Sequence, residues 1–230
     1  MRLYLKKTIS NFTLSGTSLT MAGSTGVGTY TVVIRATAAG NGNYKAGSKD
    51  ITVTITVGIK TITVPSSPAA KTYNGASQGS GISCPTGTTA GGTTSATDAA
   101  TYTQTCTPSS NYKWSDGTTT AKSISWVISP KSIAVSWGTT TFTYNGSGQA
   151  PTASAASGVT GETINVTRTT ATNAGSYTST ASCSSVTGGR AKCGNYTLTG
   201  NTKGFSIGRA SMTVPSSPAA KTYNGASQGS

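Results

Sequence analysis

The chain has no histidine and only four acidic residues, Asp50, Asp98, Asp116 and Glu162. Without histidine, neither a Ser-His-Asp nor a Cys-His nucleophilic site can be assembled. The acids are spread along the chain. A pair of carboxylates facing across one cleft, as in a glycosidase, or a cluster able to cage calcium is therefore not expected. Apolar residues nowhere recur at helical spacing over ten or more positions, so there is no helix for a glycine-rich phosphate loop to precede. No run of about eighteen apolar residues occurs, and no membrane span is expected. Residues 1–10 carry Arg2, Lys6 and Lys7 but not the apolar stretch of a secretory signal, so any signal or anchor is expected outside this sequence. The expectation is a chain with no catalytic residue, no metal site and no cofactor, not an enzyme.

What fills the chain instead is Gly, Ser and Thr, with 34% hydrophobic and only 9% charged residues. Short runs of Thr, Val, Ile and Tyr between Gly, Asn, Pro and Ser favour strands and turns, which predicts an all-β fold. The formal charge is +13, yet the basic residues are scattered singly and the only adjacent pair is Lys6-Lys7. Nucleic-acid binders concentrate charge in patches or stripes, so no specific nucleic acid is expected as a partner. A diffuse positive field keeps such a chain soluble. Its functional counterpart is a weak, salt-sensitive attraction to cell-envelope polyanions.

The chain repeats itself. Thr63 to Ser80 reads TVPSSPAAKTYNGASQGS, and Thr213 to Ser230 reads the same over all eighteen positions, 150 residues later. Tyr-Asn-Gly occurs at 73–75, 144–146 and 223–225. A second marker reads Gly26-x-Gly28-x-Tyr30-Thr31, Asp98-x-Ala100-x-Tyr102-Thr103 and Asn173-x-Gly175-x-Tyr177-Thr178, and a third is Asn-Tyr at 43–44, 111–112 and 195–196. Closing strands alternate at Ile51, Val53, Ile55 and Val57, then Ile124, Trp126 and Ile128, then Phe205 and Ile207, as strands with one buried face do. These markers predict the later part of a module over 1–57, complete modules over 58–130 and 131–208, and the opening strands of a further module over 209–230. Those last residues bury too little to fold without more chain. The short junctions around Pro130 and Gly208 predict an extended array of modules, each with neighbouring repeats of the same chain as partners.

The run before Tyr102 resembles the tyrosine corner of immunoglobulin-like sandwiches, where a Tyr hydroxyl bonds back to the backbone as the chain turns into a strand. Tyr30 and Tyr177 hold the same place, and the small residues before each leave room for the approach. Asn74-Gly75, Asn145-Gly146 and Asn224-Gly225 favour turns with positive φ at glycine, each preceded by a Tyr that packs on its sandwich or stacks on a sugar. Four cysteines allow three pairings. One even pair per complete module favours Cys84 with Cys106 and Cys183 with Cys193, and zinc is disfavoured without histidine. Lys131, Asn195 and Glu162 are a possible isopeptide set, but module 58–130 has no Glu, so hydrogen bonds and disulfides alone are expected to hold the modules. Trp114 and Trp137 are candidates for an exposed binding patch or, more ordinarily, cover core edges.

Residues 59–80, 98–112, 133–146 and 173–207 together resemble the bacterial extracellular repeats of the MBG or YDG type, relatives of bacterial Ig-like modules. Module 131–208 matches best, through Tyr144-Asn145-Gly146, Asn173-Ala174-Gly175-Ser176-Tyr177, Asn195-Tyr196 and Phe205-Ser206-Ile207. Module 58–130 departs at Asp98-Ala99-Ala100 and closes on Trp126-Val127-Ile128, and 1–57 keeps only the later markers. The resemblance implies tandem small immunoglobulin-like β-sandwich modules at the cell surface, serving as the spacer or stalk of an adhesin. Binding of a glycan or host protein by the modules themselves, or assembly into a surface filament, are the alternatives. The family supplies no catalytic residues.

Overall fold

The computed structural model describes residues 1–7, 9–189 and 192–227. Among these the regular structure is twenty strands and one 3-10 turn at Cys193–Asn195, with no α-helix. By contacts the chain divides into two compact units. The first comprises 1–72 and 76–129, and the second comprises 130–230 together with Tyr73-Asn74-Gly75. Three residues from the middle of the first unit's sequence thus belong to the second.

In the first unit, Arg2–Leu5, Gly28–Ala38 and Gly47–Val57 form an antiparallel sheet. Phe12, on the hairpin Phe12–Ser15/Ser18–Met21, is buried with its ring 5.4 Å from that of Tyr30. The alternation along Gly47–Val57 shows as half-burial at Val53, Ile55 and Val57, but Ile51 is 44% exposed. Tyr30 is in register with Ile55, so the cover that Phe12 supplies lies towards that end of the sheet, four residues from Ile51. The first Asn-Tyr marker, Asn43-Tyr44, is not in a strand. It lies in a tight turn between those long strands, bridged Asn41 to Tyr44, and leaves Tyr44 75% exposed.

Residues 58–129 build a four-stranded sheet in the order Lys71–Thr72, Lys122–Ser129, Ala100–Pro108, Thr88–Gly92, beside a parallel pair of Lys60–Ile62 with Tyr112–Trp114. Here Asn111-Tyr112 opens a paired strand rather than a loop tip. The core is Cys106, Trp114 and Ile124, with Ile62, Val64, Ile82 and Cys84 packed on it. Trp114 is fully buried, not at a core edge. Its indole N–H donates to the Thr120 carbonyl at 2.8 Å, which folds the following loop over the ring. Asn111 joins the two parts of the unit: its side-chain oxygen accepts the Val27 N–H at 3.1 Å and its amide donates to the Thr25 carbonyl at 3.3 Å.

The second unit repeats this order of strands. Thr141–Thr143 pairs in parallel with Thr202–Gly208, followed by Gly175–Thr187 and Thr163–Arg168, while Lys131–Trp137 pairs in parallel with Tyr196–Thr199 and antiparallel with Ala153–Ala155. Phe205, Ile207 and Ala150 form the core, with Phe142, Ala171 and Tyr177 against it. Trp137 is half-buried and donates to the Gly200 carbonyl at 2.8 Å. Residues 209–227 carry no strand and are exposed throughout. Their amides are expected to exchange with solvent at unprotected rates in a dilute sample, as segments without buried hydrogen bonds do. Slow exchange there, read by mass spectrometry, would contradict this structure of the tail.

Candidate functional site

Two tyrosine corners are formed by local geometry. The Tyr30 hydroxyl donates to the Gly26 carbonyl and the Tyr102 hydroxyl to the Asp98 carbonyl, each at 2.8 Å. Tyr177 lies against Gly175, where a Cβ would come within 3.0 Å of the hydroxyl, and packs on Phe205 with ring centroids 5.6 Å apart. The sulfurs of Cys84 and Cys106, and of Cys183 and Cys193, are at bonding distance with Cα separations of 5.7 and 5.8 Å. Gly75, Gly146 and Gly225 have φ of 80°, 78° and 79°, the positive-φ turn that Asn-Gly favours. The Asn145 and Asn224 side chains accept the N–H groups of Ser147 and Ala226, at 3.0 and 3.1 Å.

The three Tyr-Asn-Gly tyrosines do not share an environment. Tyr144 is 43% exposed and Tyr223 84%, whereas Tyr73 is 1% exposed. Tyr73 is buried in the second unit, where the acceptor for its hydroxyl lies, and not among the strands that flank it in sequence. That hydroxyl donates to Glu162 Oε1 at 2.6 Å, and Tyr196 donates to Glu162 Oε2. The two rings meet edge to face, 5.4 Å apart at 79°, a favourable arrangement for aromatic quadrupoles. Both carboxylate oxygens are thus satisfied, as a buried charge requires.

Local structure presents Glu162 to these rings. The Ser157 hydroxyl donates to the Glu162 backbone carbonyl at 2.7 Å and accepts the Val159 N–H at 3.2 Å, closing the loop 157–162. Close approach from two sides requires glycine. A Cβ on Gly75 would lie 2.5 Å from Val159 Cγ1, and one on Gly189, whose φ is 55°, would lie 2.8 Å from Glu162 Oε1. Lys131 runs in register beside Tyr196 but directs its ammonium to the Gly158 carbonyl at 2.6 Å. Glu162 is therefore engaged with tyrosines. The sequence signal for this cluster was faint: Glu162 is the single acid between residues 131 and 208.

Burial, and then the neighbouring Glu162 carboxylate, push the Tyr196 hydroxyl well above the ordinary tyrosine value. A raised folded value means that the stability lent by neutral Tyr196 is complete below the unfolded value of about 10 and is lost as pH climbs beyond it. The second unit is expected to weaken above about pH 10, and Tyr196→Phe to flatten that decline. Denaturation midpoints against pH, with phenolate absorbance followed in parallel, check this; an unchanged alkaline slope in the variant would contradict it.

The other acids are engaged elsewhere. Asp50 is held well below its ordinary value by hydrogen bonds from Arg35 and Lys6, and Asp116 by Lys122 and Thr118. Both pairs are at the surface, where such pairs lend little stability. Among the described residues no group of three metal-ligating side chains comes together, and no helix is long and apolar enough to cross a membrane. No family model matches the chain, and no curated protein is significantly similar to it.

Proposed function

We propose that this chain is a run of tandem immunoglobulin-like β-sandwich modules in an extended array, a non-catalytic spacer or stalk within an extracellular, cell-surface adhesin of a bacterium. The observation that carries the reading is the recurrence of one strand order in residues 58–129 and 130–208 with a single residue, Pro130, between the closing strand Lys122–Ser129 and the opening strand Lys131–Trp137. A connection that short leaves little freedom between successive modules, which suits a spacer. The eighteen-residue identity between 63–80 and 213–230 supports it as well, since duplication changes length most directly. One cysteine pair in each copy suits an oxidising, extracellular setting.

Chains extended by whole 150-residue periods test the reading. For a spacer, the maximum dimension from small-angle scattering should grow by a constant increment per period, with no saturable binding to glycan arrays. A dimension that levels off overturns the spacer. Saturable, glycan-specific binding moves the assignment to an adhesive module.

A further inference from the structure

The Tyr73-Asn74-Gly75 turn is seated in the second unit, and an identical segment stands elsewhere in the chain with its tyrosine in solvent. The seat reads the turn at two points. Glu162 accepts the Tyr73 hydroxyl at 2.6 Å, at the bottom of a site where Tyr73 is 1%, Tyr196 7% and Glu162 8% exposed. Val159 lies so close over Gly75 that any side chain two residues after the tyrosine would collide with it. The Asn-Gly geometry that brings these two points together is already present at 223–225, where Gly225 has φ of 79° against 80° at Gly75. The eighteen residues around each turn are the same.

We infer that the surface formed by Glu162, Tyr196 and Val159 is a peptide-recognition site for a Tyr-Asn-Gly turn, and that the segment 213–230 of a second copy of this chain is a ligand for it. The site selects a tyrosine hydroxyl through a buried carboxylate and a glycine through steric exclusion. Tyr73 fills it from within the same chain, so a second copy binds only where Tyr73 has been withdrawn. The inference stands on the geometry of the site and does not depend on the spacer reading.

The test uses the full chain carrying Tyr73→Ala and Tyr223→Ala, which empties the site and removes the chain's own second turn. The probe is a synthetic peptide of residues 213–230. Saturable binding by calorimetry is expected. A peptide with Tyr223→Phe, which keeps the ring and loses the bond to the carboxylate, should bind at least about tenfold more weakly. A peptide with Gly225→Ala should show no measurable binding. Absence of binding to a receptor that keeps both disulfides and measurable exchange protection in Gly175–Thr187 overturns the inference, as does equal binding of all three peptides. If the receptor loses that protection, the same titrations on Tyr73→Phe/Tyr223→Ala decide. The ranking of the peptides should persist at lower apparent affinity, and loss of the ranking overturns the inference.

Discussion

Replacing Tyr73 with alanine is expected to destabilise the second unit by about 3–5 kcal/mol and to leave the first nearly unchanged. By sequence Tyr73 lies in the first unit, one residue after the strand Lys71–Thr72 and five before Gln78–Gly79. Its ring nevertheless packs on Tyr196 and its hydroxyl satisfies Glu162. Truncation removes a buried aromatic and leaves a buried carboxylate oxygen without its donor, and both effects fall on the same unit. Hydrogen exchange resolved by segment separates the units. Protection in Thr163–Arg168 and Tyr196–Thr199 should fall by the full amount, while Ala100–Pro108 keeps its own. The reverse pattern would place Tyr73 in the core of the first unit.

The second large effect is expected at Cys84–Cys106. Converting both to alanine should cost the first unit about 3–4 kcal/mol. The bond closes a loop of 22 residues, and Cys106 is fully buried against Trp114 and Ile124, so loss of the link also loosens the centre of the core. Cys183–Cys193 closes a loop of 10 residues between half-buried sulfurs, and its removal should cost the second unit less, about 2–3 kcal/mol. Thermal unfolding of the two double variants, each against the parent, reads the difference. Loop length alone separates the two by about 0.7 kcal/mol and the packing of Cys106 adds to that, so equal losses would contradict both contributions.

Features fixed by neighbours in sequence were legible before the structure. The bonds from Tyr30 and Tyr102 each reach a carbonyl four residues back, and the Asn-Gly turns depend on one glycine φ. Strand alternation correctly marked Ile124, Trp126, Ile128, Phe205 and Ile207 as core. What was not legible depends on distant chain. The segments 63–80 and 213–230 are identical, yet one contributes a tyrosine that is 1% exposed and the other a tyrosine that is 84% exposed. No local pattern can distinguish them, because burial is decided by whether Glu162 and Tyr196 are there to receive the ring. Ile51 departs in the same way: it carries the alternation that marks a buried face, yet it is 44% exposed. Trp114 went the other way, drawn to the centre by parallel pairing with Lys60–Ile62.

The most direct test of this picture is a double-mutant cycle between Tyr73→Phe and Glu162→Gln, measured by exchange protection in Tyr196–Thr199. Each change keeps the shape of the side chain; Glu162→Gln also weakens the bond from Tyr196, a loss present with either residue at 73 that the cycle cancels. If Tyr73 is seated on Glu162, the two losses should fail to add by about 1–3 kcal/mol, the coupling of residues in direct contact through a charged acceptor. Losses that add to within about 0.5 kcal/mol would show that the two residues do not meet, and the seat for the Tyr-Asn-Gly turn would not exist.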